Sequence, residues 1–294
     1  MIIIRLTGGL GNQLFQYAAG RRLAQVHGVE LKLDITGFSN PNYRTKRHYE
    51  LAPFNVVQAF ATEDEISKLI QPQPRLLTRL FQRISRNGER LPKSHVNEQH
   101  FHFDSRILEL PDGVYMDGYW QSERYFADTA ELIRKEVTFR EPPSGRNAEL
   151  GREITDCQAV SMHVRRGDYV HDEMTHVVHG TCGLDYYARA VDYIASRINI
   201  PVFFVFSDDP AWVREHLKLS YPMQIIDYNG PERGYEDMRL MSLCSHHIIA
   251  NSSFSWWGAW LNPRQDKIVI APKRWFNNSD ADTSDLCPDS WVRL

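Results

Sequence analysis

Short apolar runs alternate along the chain with stretches in which apolar residues recur at helical spacing. The first run covers residues 2–6 and ends in a loop rich in glycine. Apolar side chains then recur three and four residues apart up to about Val26, which predicts an amphipathic helix. A second apolar run follows at 30–34. This order predicts a strand, a loop, a helix and a second strand at the start of the chain.

The second half of the chain repeats this alternation more regularly. Its apolar runs predict strands at about 159–164, 202–206, 224–226, 247–250 and 267–270. The stretches between and after them predict helices at about 184–198, 211–217, 236–244 and 256–261. Strands and helices in this order are typical of a doubly wound parallel sheet, which binds ligands at the carboxyl ends of its strands.

The middle of the chain carries weaker signals and the clearest linker. Thr62 and Glu65 have the spacing of a capping box, which predicts a short helix to about Ile70. A strand at 114–116 and a helix at 123–136 are predicted further on. We place the domain boundary at the segment Glu141-Pro-Pro-Ser-Gly145, between residues 1–143 and 144–294.

Composition narrows the class of protein. With 42% hydrophobic and 24% charged residues, the chain resembles globular proteins and not disordered ones. A net charge of −3 gives no general attraction to nucleic acid, so any anion site must be local. Four scattered cysteines without a Cys-x-x-Cys pair fit a reducing compartment and argue against a zinc site. Without a signal segment or a membrane-spanning apolar run, we expect a cytoplasmic protein.

The stretch Ser161-Met-His-Val-Arg-Arg-Gly-Asp-Tyr169 carries the strongest chemical signal. It predicts a buried strand that ends in a loop with two adjacent arginines. Guanidinium groups bind phosphate in a bidentate way, so Arg165 and Arg166 suit a multiply charged anion. Asp168 then either orients the arginines or acts as a base. The alternative is an ordinary surface ion pair between Arg165 and Asp168.

The loop after the first strand, Thr7-Gly-Gly-Leu-Gly-Asn-Gln13, is a second candidate. Its glycines allow a ligand to approach the backbone closely, although their spacing is not that of the dinucleotide-binding fingerprint. The amides of Asn12 and Gln13 suit sugar hydroxyls. The alternative is a tight turn without a binding role.

Three further clusters have both a functional and a structural interpretation. The segment Asn251–Ser255 offers hydroxyls and helix-start N–H groups to phosphates, or else its serines only cap a helix. Asp208 and Asp209 either form a metal-binding pair or, as we favour, bind ribose and cap a helix respectively. The residues Tyr119, Trp120 and Gln121 form either a sugar-stacking platform or part of the core.

A basic segment at 75–93 also has two interpretations. Six of its residues are basic and one is acidic, the basic ones being Arg75, Arg79, Arg83, Arg86, Arg90 and Lys93. We favour a peripheral helix with a solvated basic face. The alternative is a helix that lies on an anionic membrane surface.

These motifs, in this order, resemble the bacterial α-1,2-fucosyltransferases of glycosyltransferase family 11. The residues that carry the resemblance are Gly8-Gly-Leu-Gly-Asn-Gln13, His163-Val-Arg-Arg-Gly-Asp-Tyr169, Phe206-Ser-Asp-Asp209 and Asn251-Ser-Ser-Phe-Ser-Trp-Trp-Gly258. The segments 118–122 and 237–242 also fit, so the resemblance covers nearly the whole chain. The His-x-Arg-Arg-x-Asp element is shared with α-1,6- and protein O-fucosyltransferases.

The resemblance implies the fold, the substrates and the reaction. The expected fold is α/β and GT-B-like, with two Rossmann-like domains facing a central cleft. The N-terminal domain would bind the acceptor and the C-terminal domain GDP-β-L-fucose. The implied reaction is an inverting transfer of fucose to the 2-hydroxyl of a terminal galactose, without a metal or other cofactor. We expect this reaction in the synthesis of an O-antigen-like surface polysaccharide. In its membrane interpretation, the basic segment at 75–93 would contact the inner face of the cytoplasmic membrane.

Site residues are carried over by position. Arg165 would bind the β-phosphate, and His163 and Asp237 would recognise guanine. The other expected donor-binding residues are Asn12, Gln13, Arg166, Asp208, Ser252, Ser253 and Phe254. Asp168 is the first candidate for the general base and Glu173 the second, and the acceptor is expected at Tyr119, Trp120 and Gln121.

Elementary chemistry agrees with this assignment. Negative charge develops on the departing diphosphate during glycosyl transfer, and fixed guanidinium groups stabilise such charge. A Rossmann-type oxidoreductase is disfavoured because the first glycine loop lacks the dinucleotide spacing. A sugar-binding protein without activity is disfavoured because arginines, carboxylates and serines all follow predicted strands.

Overall fold

The protein divides into two compact units. A computed structural model describes residues 1–39, 47–70, 94–167, 177–178, 180–277 and 281–294. The two units are Met1–Thr138 and Phe139–Leu294. The linker predicted at 141–145 lies at the start of the second unit. The basic segment at 75–93 lies outside the described residues.

The first unit is built on a parallel sheet. Its described strands are β1 (Ile2–Arg5), β2 (Leu31–Asp34), β3 (His95–Asn97) and β4 (Val114–Asp117), in the spatial order β2-β1-β4-β3. Its described helices are α1 (Leu10–His27), α2 (Glu63–Ile70) and α3 (Ala130–Glu136). Helix α2 begins as predicted, because Thr62 and Glu65 exchange backbone and side-chain hydrogen bonds as a capping box.

The predicted strand–loop–helix–strand unit is present at the start of the chain. Residues Ile2, Ile3 and Ile4 are fully buried in β1. Helix α1 packs closely on this strand at Gly20, where a Cβ atom would lie 2.9 Å from Cβ of Ile4. The helix ends at Gly28, whose left-handed conformation (φ 63°) lets its N–H bond to carbonyls of the last turn.

The second unit contains a six-stranded parallel sheet. Its described strands are β5 (Ala159–Val164), β6 (Val202–Ser207), β7 (Met223–Ile226), β8 (His246–Ile248), β9 (Val269–Ala271) and β10 (Val292–Arg293). Its described helices are α4 (Gly145–Thr155), α5 (Leu184–Ala195), α6 (Pro210–His216), α7 (Gly234–Leu243) and α8 (Ser253–Leu261). Strand order is β10-β9-β8-β5-β6-β7. The chain therefore runs outward from β5 to β7 and then returns to the other side of β5, which creates a switch point there.

Some predicted elements differ from the observed ones. The single helix predicted at 123–136 is two short 3-10 turns followed by α3, because Phe126 leaves the helical region with φ −144°. Helix α4 was not predicted, since it follows directly after the proline-rich linker. Trp256, Trp257 and Trp260 are buried and belong to the core of the second unit. Among the described residues, no helix is both long and apolar enough to cross a membrane.

Candidate active site

The candidate site of the second unit lies at the carboxyl ends of its central strands. Strand β5 is buried along its whole length and pairs in parallel with β6, with Val164 opposite Ser207. The loop 165–167 therefore leaves the sheet beside the loop 207–209. The hydroxyl of Ser207 donates to the carbonyl of Val164 (2.7 Å), which ties the two strand ends together.

Arg165 is held in place by Asp208. Its Nη1 lies 2.9 Å from Oδ2 of Asp208, and the other oxygen of this carboxylate accepts from the backbone N–H of Arg166 (2.8 Å). Gly167 completes the contact, because a Cβ atom there would clash with the carboxylate. Asp208 was expected to bind ribose. That role stays a prediction, and the structure shows in addition that both oxygens of Asp208 position the arginine loop.

Arg166 has a different environment from Arg165. Its guanidinium stacks on the ring of Trp212, 3.9 Å from the ring centre, and its Nε lies 3.3 Å from Oδ2 of Asp209. Asp209 also caps α6, because its Oδ1 accepts from the N–H of Trp212 (3.1 Å). The capping role predicted for Asp209 is therefore confirmed. Arg166 braces the loop against α6, a contact of which sequence patterns gave no sign, and its expected donor-binding role stays a prediction.

His163 lies at the end of β5 in a dry environment. Burial, and then the nearby charge of Arg165, lower the pKa of its imidazole to about 3, so the ring is neutral at neutral pH. Its Nδ1 is buried and has no hydrogen-bond partner among the described residues. Its ring centre lies 5.6 Å from that of Phe254. A neutral imidazole offers one donor and one acceptor, which suits a polar but uncharged group of a ligand.

The start of α8 lies beside this strand end. Ser252 occupies the position before the helix, and its hydroxyl makes no capping hydrogen bond. Ser253 is the first helical residue, so its backbone N–H belongs to the helix terminus that attracts anions. The hydroxyl of Ser255 donates to the carbonyl of Ser252 (3.3 Å) from within the first turn of α8, which is not the capping role that the structural interpretation predicted. The amide of Asn251 donates to the carbonyl of Trp275 (3.1 Å) and so ties chain segments together.

Asp237 lies in the first turn of α7, near the same strand end. The ring of Phe254 lies 3.8 Å from the position that a Cβ atom would take at Gly234, so α7 begins next to the aromatic neighbour of His163. The carboxylate of Asp237 accepts from the amide of Asn229 (2.7 Å). Burial raises the pKa of this carboxyl to about 6, although the bond from Asn229 opposes the shift. Asp237 is thus ionised at neutral pH.

Two expected catalytic residues cannot be placed. Asp168 and Glu173, the candidates for the general base, lie outside the described residues. Their assignment stays a prediction.

In the first unit, the side-chain amide of Gln13 connects the glycine loop to the segment 48–50. Gln13 is fully buried, and its side chain donates to the carbonyls of Gly8 (2.9 Å) and His48 (2.8 Å) and accepts from the N–H of Glu50 (2.9 Å). The expected donor-binding role of Gln13 is therefore corrected, because its amide is saturated by the protein. Asn12 is only partly buried, and its Oδ1 accepts from the amide of Gln121 (2.8 Å).

The three residues expected to bind the acceptor differ in exposure. Tyr119 is 42% exposed, whereas Trp120 is 1% exposed and Gln121 is 7% exposed. Trp120 adopts a left-handed conformation (φ 54°), which is strained for a bulky residue. The carboxylate of Glu98 holds this turn by accepting from the N–H groups of Tyr119 (2.7 Å) and Trp120 (2.9 Å). The expectation of a platform is corrected for Trp120, which anchors the turn, and Tyr119 alone is presented to solvent.

The fold and this arrangement of residues define the class of protein. Each unit has a parallel sheet, and the chain resembles NodZ, an alpha-1,6-fucosyltransferase from Bradyrhizobium whose crystals were soaked with GDP-fucose. The TM-score is 0.54 at 19% sequence identity, over 92% of this chain and 94% of NodZ. The protein therefore has the GT-B-like α/β fold that was expected.

Comparison of sequences gives the family. The model of "Glycosyl transferase family 11" matches residues 1–294, so the chain belongs to this family and is a glycosyltransferase. It is 35% identical to an alpha-1,2-colitosyltransferase of Escherichia coli, over 100% of this chain and 99% of the relative. It is 33% identical to the O-antigen biosynthesis glycosyltransferase WbnK of Escherichia coli, over 98% of this chain and 99% of the relative.

Proposed function

We propose that the protein transfers L-fucose from GDP-β-L-fucose to the 2-hydroxyl of a terminal galactose. The observation that carries the proposal is Arg165, which Asp208 fixes at the end of the central strand in a chain of glycosyl transferase family 11. In this proposal the second unit binds the donor and the first unit the acceptor. The O-antigen biosynthesis relative supports a role in the assembly of a bacterial surface polysaccharide.

The proposed reaction is a single displacement at the anomeric carbon. The acceptor 2-hydroxyl forms a bond to C1 of fucose while the bond from C1 to the β-phosphate oxygen breaks, which inverts the configuration. The hydroxyl proton passes to a base, for which Asp168 and Glu173 are the predicted candidates, and GDP leaves. The transition state resembles an oxocarbenium ion, so negative charge grows on the diphosphate as the bond breaks. Arg165 and the N–H groups at the start of α8 are the groups proposed to stabilise that charge.

On the acceptor side, Tyr119 is the proposed contact. An aromatic ring packs well on the apolar face of a galactose, and Tyr119 is exposed immediately after β4. The buried Trp120 and the carboxylate of Glu98 keep the turn in the conformation that exposes this ring.

A second candidate donor carries colitose, the sugar that lacks the 3-hydroxyl of fucose. The similarity to the alpha-1,2-colitosyltransferase favours it. The same acceptor position and the same arginine chemistry would serve both sugars. The two candidates therefore differ only in what surrounds the 3-hydroxyl of the donor.

The deciding experiment compares both donors with one β-galactoside acceptor. We expect α-1,2-linked fucosyl product by NMR, and a kcat/KM for the fucosyl donor about 10-fold or more above that for the colitosyl donor, because a lost hydrogen bond leaves a polar group of the site unpaired. A preference for the colitosyl donor would replace fucose by colitose in the proposal. Transfer from neither donor would contradict it.

We also predict that transfer does not need a metal ion. In the structure the carboxylates of Asp208 and Asp209 each face a guanidinium group, so both already have a positive partner. Activity should therefore persist in excess EDTA, and added Mg²⁺ or Mn²⁺ should change the rate less than about 2-fold. An essential Lewis acid would stabilise the transition state by several kcal/mol, so its removal would have a far larger effect on the rate. Complete loss of activity that either ion restores would make these aspartates metal ligands.

Peripheral membrane contact is proposed only through the basic segment at 75–93. If this segment lies on an anionic surface, the protein should co-sediment with anionic vesicles at low salt and be released as the salt concentration rises. An absence of binding at low salt would leave the solvated basic face as its interpretation.

A further inference from the structure

Two buried asparagines connect α4 to the carboxylate of Asp237. Asn147 lies in the first turn of α4, and Asn229 lies in the loop after β7. The two residues are 82 positions apart in the sequence. Their amides form a reciprocal pair, in which Nδ2 of Asn147 donates to Oδ1 of Asn229 (2.8 Å) and Nδ2 of Asn229 donates to Oδ1 of Asn147 (3.0 Å). Both residues are almost completely buried. The second N–H of Asn229 reaches Asp237.

This arrangement selects one orientation of the Asn229 amide. If the amide were rotated by half a turn, its oxygen would face the carboxylate of Asp237, and two acceptors would repel each other. The bond to Oδ1 of Asp237, at 2.7 Å, is therefore a charge-assisted one with the amide as donor. Asn147 in turn stabilises this orientation, because it accepts the other N–H of Asn229.

The carboxylate of Asp237 keeps acceptor capacity after this bond. Each carboxylate oxygen has two lone pairs, and Oδ2 has no hydrogen-bond partner among the described residues. A planar pair of N–H donors from a ligand can therefore bind along the carboxylate edge. The edge of guanine formed by N1–H and the 2-amino group is such a pair, whereas adenine presents no such pair.

We propose that Asn147 and Asn229 are positioning residues for nucleotide specificity, which orient the Asp237 carboxylate toward the guanine edge of the donor. The proposal rests on the proposed function, because it assumes a guanine nucleotide next to Asp237. It goes further in assigning the discrimination of guanine to two residues that do not touch the nucleotide.

Other charged groups near Asp237 are unchanged by substitutions in this pair. Helices α4 and α8 and the 3-10 turn Pro231–Arg233 pack against α7. The titratable or charged side chains of these elements, of α7 itself and of the preceding loop are Arg146, Glu149, Arg152, Glu153, Asp227, Tyr228, Glu232, Arg233, Tyr235, Glu236 and Arg239. Helix α8 contributes none, since Ser253–Leu261 carries no charged residue. Among these groups, the charge of Glu236 raises the pKa of Asp237.

The pair also predicts the direction of a pH effect. The guanine edge needs the ionised carboxylate, so affinity for GDP should rise with pH through the pKa of Asp237, which is about 6. The bond from Asn229 lowers this pKa. Removal of the Asn229 amide therefore raises the pKa, and the rise in affinity moves to higher pH.

The experiment measures GDP and inosine diphosphate binding by calorimetry between pH 5 and pH 8. Inosine diphosphate differs from GDP only in lacking the 2-amino group. For Asn229→Ala we expect GDP affinity to fall about 10-fold or more, a smaller preference for GDP over inosine diphosphate, and a pH profile moved upward. For Asn147→Ala we expect the same changes with smaller size, because Asn229 keeps its bond to Asp237 but loses the partner that orients it.

Asn262→Ala is the matched control in the same unit. The amide of Asn262 is also buried, and it donates to the carbonyl of Cys244 (2.6 Å) and lies 2.9 Å from Nε2 of His247. This variant should lower the melting temperature without changing the GDP preference or the pH profile. Asn229→Ala with an unchanged preference and an unchanged profile would overturn the proposal, whatever its stability.

The outcomes separate this inference from the proposed function. If the unsubstituted protein shows no preference for GDP over inosine diphosphate, the guanine assignment that the inference assumes is wrong and the inference is overturned with it. If the unsubstituted protein prefers GDP and Asn229→Ala retains that preference, only the positioning role is wrong.

Discussion

Replacement of Arg165 by lysine is expected to lower kcat by about 10²–10³-fold, the loss seen when one fixed oxyanion donor is removed. Lysine keeps the positive charge but not the planar fork. In the structure Nη1 of Arg165 contacts Asp208, and a planar guanidinium can hold this carboxylate at one edge and a phosphate oxygen at another. A lysine ammonium is a single point charge and cannot contact two anions at separate edges as a guanidinium does. The contact with Asp208 would therefore draw it away from the diphosphate.

The loss should appear mainly in turnover. The charge on the leaving diphosphate is larger in the transition state than in the bound donor, so an interaction with that charge contributes more to the rate than to binding. We therefore expect the KM for the donor to change less than about 10-fold. Steady-state kinetics with GDP-β-L-fucose, together with calorimetry of GDP, measure both quantities.

Arg166→Lys is the matched control for this prediction. Arg166 stacks on Trp212 and pairs with Asp209, so lysine there loses the stacking contact and keeps the charge. A lost cation–π contact of about 1 kcal/mol lowers the melting temperature by about 2–4 °C in a protein of this size. We expect this variant to lose stability and to keep kcat within about 10-fold. If Arg165→Lys instead showed near-normal turnover and a sharply lower melting temperature, Arg165 would be a structural residue.

Replacement of Asp237 by alanine is expected to weaken GDP binding by about 30- to 150-fold at pH 8. This range corresponds to the ~2–3 kcal/mol typical of a hydrogen bond to a charged group. The ionised carboxylate of Asp237 does not stabilise the folded protein by a comparable amount. Its pKa is raised to about 6 by burial, which means that the folded protein disfavours the ionised form.

The pH dependence of stability follows from that shift. A carboxyl with a folded-state pKa above its unfolded value loses stability as pH rises from the unfolded pKa through about 6, and the loss is complete above that value. Asp237→Asn removes the charge and keeps the shape, and its Oδ1 can still accept from Asn229. We expect this variant to melt at the same or a higher temperature at pH 8 while it loses GDP affinity, because its NH₂ group would face the donors of guanine. Unchanged GDP affinity by calorimetry in both variants would remove Asp237 from the site.

Stability and function thus oppose each other at Asp237. A buried, partly satisfied carboxylate is unfavourable for the folded chain, and the proposed guanine nucleotide would offset this cost by completing its hydrogen bonds. Arg165 is different, because its partner Asp208 is present in the protein itself. The two substitutions should therefore be separable by melting temperature as well as by kinetics.

Local patterns were sufficient to predict most strands and the loops that follow them. An apolar run such as Ala159–Val164 predicts a buried strand from its own residues, and the capping box at Thr62 and Glu65 needs only three residues of separation. Short strands at sheet edges, such as His95–Asn97 and Val292–Arg293, were missed because two or three residues carry too little periodicity.

The roles of single side chains were predicted less well. Arg165 and Arg166 are adjacent and chemically identical, yet one pairs with Asp208 and the other stacks on Trp212. Tyr119 and Trp120 are adjacent aromatic residues, yet a backbone with φ 54° at Trp120 buries one ring while the other remains exposed. In both cases the difference depends on residues more than 20 positions away, including Asp208, Trp212 and Glu98.

The sequence by itself determined the order of most strands and helices, the placement of polar motifs after the strands, and the family. These properties depend on local periodicity and on the chemistry of short motifs, which a single chain displays directly. Only the tertiary structure decided that Asp208 positions Arg165, that the amide of Gln13 is bonded to backbone groups, and that Asn147 pairs with Asn229, which donates to Asp237. Most of those contacts join residues that are distant along the chain, and their geometry follows from how the sheet and helices pack.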